Sequence, residues 1–278
     1  MPASADIRVT DDAGRSVVLT APARRIVSLA PHVTELLFAA GAGARVVGVA
    51  EYSDHPAPAR ALPRVGSSGS IDLEAVLALK PDLVIAWQTG NRRQQYEQLE
   101  RLGIAVFLSE PHALDDIAGT LEQFGALAAT AADARAAAQA FRLRRDALAR
   151  RYADRSPVSV FYQIWDKPLM TINGRHLISE VIALCGGRNV FADLPILAPT
   201  VTEEAVLAAA PEVIVASGTG NTRPVWLDDW RRWRTLPAVA RDNLHFIEPG
   251  LLQRHTPRIL DGAARLCEQL DQARSKAR

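Results

Sequence analysis

The sequence predicts an α/β protein built from two Rossmann-like lobes joined by one long rigid helix. Three observations predict it: a helix–strand unit occurs twice, strand and helix patterns alternate around both copies, and a single alanine-rich stretch without Gly or Pro lies midway between the copies. The first copy is Ile71–Asn91 (IDLEAVLALKPDLVIAWQTGN) and the second is Val201–Asn221 (VTEEAVLAAAPEVIVASGTGN), at a gapless offset of 130 residues. Identical are Glu74/Glu204, Ala75/Ala205, Val76/Val206, Leu77/Leu207, Ala78/Ala208, Pro81/Pro211, Ala86/Ala216, Thr89/Thr219, Gly90/Gly220 and Asn91/Asn221. Solenoid repeats have periods of about 20–50 residues. One unit repeated at so much longer a spacing indicates two similar lobes instead.

Each copy has a physical reading. Asp72 and Thr202 are N-cap residues. A short apolar helix follows and stops before Pro81 or Pro211, because the residue preceding proline avoids the right-handed helical region. DLVIAW and EVIVAS are short, apolar and partly β-branched, as expected of strands buried in a parallel sheet. Thr-Gly-Asn closes each unit as a turn.

In chain order, Asp6–Thr20 reads as a hairpin around Asp11-Asp12-Ala13-Gly14. Arg25–Ala30 is a buried strand, and Pro31-His32-Val33-Thr34-Glu35 opens a helix that ends at Gly41–Gly43. Val46–Ala50 is the next strand, followed by a loop from Glu51 to Arg64. Gly66-Ser67-Ser68-Gly69-Ser70 leads into the first copy as a flexible turn. Arg92–Leu102 is helical and Ala105–Ser109 is a strand. Ala126–Asp154 has high helix propensity throughout and predicts one long helix, placed as a rigid connector. After Pro157 come a strand at Val158–Ile164, a helix at Leu177–Leu184 closed by Cys185-Gly186-Gly187, and a loop at Leu194–Pro199. An amphipathic helix at Trp226–Trp233, a strand at Leu244–Ile247 and a helix at Pro257–Ala273 complete the chain. The expected boundaries are 1–125 for the N-terminal lobe, 126–155 for the connecting helix and 156–278 for the C-terminal lobe.

Composition narrows the function classes. The 278 residues suffice for two domains. A net charge of +1 gives no bulk field for nucleic acid or anionic membrane. No apolar run reaches the roughly 20 residues of a membrane-spanning helix. Met1–Arg8 is polar and shows no secretory signal, which fits a cytosolic chain or a mature secreted chain whose leader has been replaced. Cys185 and Cys267 are the only cysteines. They read either as two buried thiols or as one disulfide in an oxidising compartment.

Enzyme signatures are missing. There is no G-x-S-x-G, no Walker A motif and no G-x-G-x-x-G between strand and helix. The six histidines are scattered without an i,i+4 pair, so no metal site is expected. Ligands of open α/β sheets bind beyond the carboxyl ends of the strands. His32, Tyr52, Ser68, Trp87, Trp165 and the segment Gly250–Arg254 fall there. Large aromatics with an arginine suit a broad, flat, mostly apolar ligand with polar arms. Trp226, Trp230 and Trp233 lie near helical spacing and read as core. Glu74 and Glu204 occupy equivalent first-turn positions, where a carboxylate suits the helix dipole. As one acid per lobe, they also fit basic pockets on a symmetric partner.

The segments RIVSLAPHVTELLFAAGA, VVGVAEYSDHP, IDLEAVLALKPDLVIAW with its following Gly-Asn, LISEVIALCGGRNVF and RHTPRIL resemble the cobalamin-binding periplasmic proteins of ABC importers. The resemblance runs from about Asp6 to Leu270. It implies a monomeric carrier with no cofactor and no catalysis, which captures a corrinoid between its lobes and delivers it to a dimeric permease with ATPase subunits. It implies a periplasmic location, with the signal peptide removed. Tyr52, Trp87 and Arg254 match ligand-contacting positions of the family, Glu74 and Glu204 match its two permease-docking acids, and Cys185 and Cys267 match its disulfide. The chain departs from the pattern where Ser68 and Ala198 replace tryptophans, Gly250 an aspartate and Ile164 a phenylalanine, with Trp165 one residue beyond. His32 is expected to be polar lining of the cleft, the alternative being an axial metal ligand. The rival expectations are a haem or ferric-siderophore carrier of the same fold, a cytosolic α/β enzyme, and a scaffold or sensor for a protein partner.

Overall fold

The computed structural model describes residues 6–218 and 220–277. Met1–Ala5 of the polar N-terminal stretch and Thr219 of the second closing turn lie outside the described residues. The chain forms two compact units. Unit 1 takes the chain up to Pro111 together with Asp115–Arg142, and unit 2 takes His112–Leu114 and the chain from Leu143 onward.

Unit 1 begins with strands β1 (Ile7–Thr10) and β2 (Ser16–Leu19), paired antiparallel with Ile7 opposite Leu19. Their turn is organised by buried Asp11, whose carboxylate accepts from the backbone N–H of Ala13, Arg15 and Leu108. The main sheet comprises β3 (Ile26–Ser28), β4 (Val46–Val49), β7 (Leu83–Trp87) and β8 (Ala105–Ser109), all parallel in the order β4-β3-β7-β8. Helix α1 (Pro31–Ala39) joins β3 to β4. A two-residue pair, β5 (Gly66–Ser67) and β6 (Ser70–Ile71), precedes α2 (Leu73–Ala78), and α3 (Arg93–Arg101) joins β7 to β8. Gly66–Ser70 is therefore a tight hairpin rather than a flexible turn. Gly66 has φ +97°, and a Cβ there would lie 2.3 Å from the Ser70 carbonyl oxygen. The apolar faces of β3, β7 and β8 close over α2 and α3 through Val27, Val84, Ala86, Val76, Leu99 and Val106.

The expected helix over 126–154 is interrupted. Helix α4 (Leu114–Leu127) ends, Ala129 adopts φ +50°, and α5 (Ala131–Tyr152) begins. The break is set by tertiary contacts: the Thr130 hydroxyl donates to the Ala40 carbonyl at 2.6 Å, and a Cβ on Gly125 would fall 2.2 Å from the Cβ of Ala134. The division into units falls within α5, after Arg142.

Unit 2 repeats the topology. Strands β9 (Val158–Gln163), β10 (Gly187–Asn189), β11 (Val213–Ala216) and β12 (Leu244–Phe246) form a parallel sheet in the order β10-β9-β11-β12. Helix α6 (Leu177–Leu184) joins β9 to β10, and α7 (Glu203–Ala209) precedes β11. Then follow α8 (Pro237–Ala240), α9 (Pro249–Leu252) and α10 (Ile259–Lys276). Cys185, capping α6, is disulfide-bonded to Cys267 on α10, and both residues are fully buried.

The predicted helix over Trp226–Trp233 is instead a 3-10 helix, Val225–Arg232. Its three-residue turn brings Leu227 and Trp230 onto one buried face, while Trp226 is half-buried and Trp233 lies 36% exposed. Only Trp230 is fully a core residue, packed edge-on against Phe161.

The sequence repeat is a structural repeat. The Asp72 and Thr202 side chains accept from the N–H of Ala75 and Ala205. Lys80 and Ala210, each preceding proline, are both left-handed, at φ 46° and 43°. Asp82 and Glu212 then clamp the entry to the first strand of their own sheet: Asp82 accepts from the N–H of Arg24 and Arg25, and Glu212 from that of Ser159.

Candidate functional site

In each sheet the strand order reverses once, between β3 and β7 in unit 1 and between β9 and β11 in unit 2. Connections leave on opposite sides at such a point, opening a crevice at the carboxyl ends of the strands where α/β proteins hold ligands.

In unit 1 that edge gathers four of the sequence-predicted residues. His32 stands in the first turn of α1 just past β3, and Trp87 ends β7, so the two flank the reversal. Their rings meet edge to face, centroids 5.4 Å apart at 82°. His32 is 8% exposed, as fits lining rather than surface. The indole of Trp87 lies over Gly90: a Cβ there would fall 1.9 Å from Trp87 Cε3. Only glycine allows this pose. Ser68 occupies the β5–β6 turn, and its carbonyl accepts from Asn91 Nδ2 at 2.8 Å.

Tyr52 follows β4 with φ 62° and is 76% exposed. A left-handed backbone costs a non-glycine residue about 1–2 kcal/mol, and such strain persists where the surroundings enforce it. They do so here. Glu51 N–H donates to the Gly66 carbonyl at 2.8 Å, and Arg64 donates to the carbonyls of Ala50 and Ser53. The buried hydroxyls of Ser28, Thr34 and Ser53 form a chain, with contacts of 2.8 and 3.0 Å. A rigid frame thus presents a large amphipathic ring to solvent.

Unit 2 uses the equivalent edge differently. Ser217 occupies the place of Trp87; it is buried, and its hydroxyl pairs with Tyr162 Oη at 2.6 Å. Burial, the larger effect, pushes the Tyr162 phenol up to about 12, although the Ser217 and Gln253 hydrogen bonds oppose it. Trp165 follows β9, is 37% exposed, and donates from Nε1 to the Lys167 carbonyl at 3.0 Å. Gly250 lies in α9 and half-buried Arg254 just beyond it, after β12. Because β11 separates β9 from β12, Trp165 and the Gly250–Arg254 segment share an edge but occupy different stretches of it. Ala198 is in an ordered loop, held by Thr171 N–H to Pro199 O and Asn173 N–H to Leu197 O. A Cβ on Gly250 would meet nothing nearer than Arg258 Nη2 at 3.7 Å, so the glycine is not demanded by packing.

His176 caps α6 by accepting the Ile178 N–H on Nδ1, and its ring stands edge-on to His255 at 6.0 Å. Burial, helped by His255, lowers its pKa to about 4. Glu74 and Glu204 are exposed in the first turns of α2 and α7. Hydrogen bonds from its own backbone N–H and from Thr202 hold the Glu204 carboxyl below the usual range. Among the described residues no cluster of three or more His, Cys, Asp or Glu side chains has metal-binding geometry.

Residues 26–249 match a family model described as periplasmic binding protein. The chain belongs to the periplasmic binding protein family. Its similarity to the vitamin B12-binding protein of Vibrio cholerae is 40% identity over 250 residues, spanning 90% of each chain. The vitamin B12-binding protein of Yersinia pestis is also 40% identical, over 260 residues covering 91% of this chain and 89% of that one. The crystal structure of the periplasmic vitamin B12-binding protein BtuF of Vibrio cholerae superposes with a TM-score of 0.83 over 91% of this chain and 98% of its own. A periplasmic haem-binding protein from Pseudomonas aeruginosa superposes at 0.77 with 25% identity, covering 88% and 91%. The two-lobed α/β architecture of this binding protein is thus that of the family, and its location is periplasmic. The buried disulfide suits that oxidising compartment.

Sequence reasoning did not foresee what holds the site. Asn91 was visible as the last position of the repeat, without a role. The clamps at Asp82 and Glu212 had a signal, an acid after proline in both copies. The hydroxyl chain under Tyr52 had none, since Ser28, Thr34 and Ser53 come together only through the sheet.

Proposed function

We propose that this chain captures a corrinoid, cobalamin foremost, and delivers it as a monomer to a dimeric ABC permease with its ATPase subunits, without performing chemistry on it. The observation that carries the reading is the aromatic set along the carboxyl edge of the unit 1 sheet: Trp87 and His32 edge to face at the reversal point, and Tyr52 held out beyond β4 at 76% exposure. A corrin is broad, flat and apolar on its faces, and rigid aromatic surfaces bury such faces at low entropic cost. Trp165, Ser68, Gly250 and Arg254 would add contacts, the arginine reaching the peripheral amides. The 40% identity to vitamin B12-binding proteins over 90% of the chain supports the same ligand.

Glu74 and Glu204 would dock on basic pockets of the permease. Each is exposed on a capped first helical turn, and each follows the same cap, so the two surfaces share one local geometry. With lobes at 1–125 and 156–278 and the helical stretch 126–155 as connector, the reading includes a hinge shift of less than about 2 Å on binding.

Calorimetric titration with cyanocobalamin, run beside cobinamide, haem and a ferric siderophore, tests the ligand. Sub-micromolar cobalamin binding, about −8 kcal/mol or stronger, is expected. Binding of haem or the siderophore without cobalamin would move the ligand, and silence with all four would reject the reading. Glu74→Ala combined with Glu204→Ala should leave cobalamin affinity unchanged and abolish association with the permease complex. Intact association would defeat the docking assignment.

A further inference from the structure

The ligand candidates of unit 1 are carried by separate segments. His32 is on the chain leaving β3, Ser68 on the β5–β6 turn, and Trp87 at the end of β7. The β3–β7 ladder runs out at Ser28 and Ile85. Beyond it, one side chain ties the three segments together. Asn91 Oδ1 accepts from Trp87 N–H at 2.6 Å, while Nδ2 donates to the Leu29 carbonyl at 3.1 Å and to the Ser68 carbonyl at 2.8 Å. Its own N–H donates to the Trp87 carbonyl at 3.0 Å, so both backbone groups of Trp87 are held. The amide orientation follows from the partners: reversed, the NH2 group would face an N–H and the oxygen would face two carbonyls.

Asn91 is 4% exposed, so water cannot replace these bonds readily. The second repeat copy supplies an internal comparison. Asn221, its equivalent, is exposed, and the residue at the Trp87 place is the buried Ser217. The asparagine is drawn inward in the unit that has an aromatic to hold.

We infer that Asn91 is a positioning residue for ligand capture: it fixes Trp87, Ser68 and the chain leading to His32 in the arrangement that meets the ligand. This rests on the corrinoid reading of the site. A merely structural asparagine would affect melting and leave affinity alone once the protein is folded.

The test compares wild type, Asn91→Ala, Asn91→Asp and Leu99→Ala. Leu99 is a fully buried core residue of the same unit, lies on α3, is none of the candidate contacts, and serves as a stability control. Indole N–H resonances are recorded without ligand, with the Trp87 signal identified by Trp87→Phe, and cyanocobalamin is titrated calorimetrically below the melting range. Asn91→Ala should move the Trp87 signal and weaken cyanocobalamin by about 10- to 100-fold, the scale of a lost buried hydrogen-bond network. Leu99→Ala should lower the melting temperature and leave affinity within a few-fold. Asn91→Asp keeps the acceptor for Trp87 N–H but sets a carboxylate against two carbonyl oxygens. Its binding should be weak at neutral pH and recover as the carboxyl protonates on acidification, a pH profile absent from wild type. An unmoved Trp87 signal with unchanged affinity in Asn91→Ala overturns the inference. A wild type that binds no cyanocobalamin overturns the corrinoid reading instead, and the Trp87 signal then decides by itself whether Asn91 sets the indole.

Discussion

Removing the disulfide by Cys185→Ala with Cys267→Ala should strip unit 2 of a large part of its stability. The bridge closes a loop with a sequence separation of 82 residues, wholly within unit 2. Loop-closure entropy of the denatured chain puts the loss near 4.5 kcal/mol at 25 °C. Denatured-state structure lowers that figure, whereas the small voids left by two fully buried sulfurs raise it. Alanine is the appropriate replacement, since it adds no polar group to a fully buried site. Against an ordinary domain stability of about 5–15 kcal/mol the loss is severe.

Urea denaturation followed by tryptophan fluorescence reads this unit selectively. Trp165, Trp226, Trp230 and Trp233 belong to unit 2, and Trp87 alone belongs to unit 1. A Trp87→Phe background removes the exception and avoids treating two units as one transition. With a slope of about 2 kcal/mol per molar urea, the midpoint should fall by about 2 M. Fully reduced wild type should unfold like the double variant. A shift under about 0.5 M at unchanged slope would refute the reasoning, because the bridge would then constrain little that the denatured chain does not already constrain.

Two further outcomes are expected. Gly90→Ala should weaken ligand binding by about tenfold or more, as should Trp87→Ala, because the added Cβ displaces the indole from a place 1.9 Å away; near-wild-type calorimetry would show that the indole pose is immaterial. His176 is kept neutral in the folded state, with its pKa lowered to about 4 from an ordinary 6.5 by burial and then by His255. The unfolded chain binds the proton first, so this contribution is complete above about pH 6.5 and is lost as pH falls toward 4, by up to about 3 kcal/mol. His176→Asn retains a cap acceptor for Ile178 and should flatten the fall in the unit 2 urea midpoint between neutral and acidic pH; an identical fall would place the acid sensitivity elsewhere.

The scaffold was legible wherever local chemistry decides it. Asp72, Thr202, Pro81 and Pro211 act through their own backbone neighbours, and the strand runs of β7 and β11 are buried almost throughout, so pattern alone locates them. Where distant contacts decide, pattern fails. The α4–α5 break lies in a sequence of uniformly high helix propensity and is made by Thr130 reaching Ala40 and by Gly125 admitting Ala134. The tryptophan-rich segment has apolar residues at Leu227, Trp230 and Trp233, a spacing of three that marks the tighter 3-10 turn more closely than an α-helix. At the candidate site, strand-end position indicated His32, Tyr52 and Trp87, because that rule depends on topology alone. The groups that hold them, Asn91 and the Ser28–Thr34–Ser53 chain, depend on which loops meet above the sheet.

The internal repeat separates what the fold requires from what the ligand requires. Cap, left-handed residue before proline, acid clamp and strand order recur in both units, so these features belong to making a stable four-stranded α/β sheet. The residues at the reversal point do not recur. Unit 1 places an imidazole and an indole there, the indole's backbone braced by an inward asparagine, and presents a phenol beyond the neighbouring β4. Unit 2 places the buried Tyr162–Ser217 pair at the same topological position and leaves Trp165 and Arg254 to loops beyond its strands. A side chain whose backbone is braced before contact, as Trp87 is by Asn91, loses little entropy on binding, whereas an unbraced one must be ordered at a cost of about 0.5–1.5 kcal/mol. On that ground the corrinoid reading assigns Trp87 a large share of the orientation of a flat ligand.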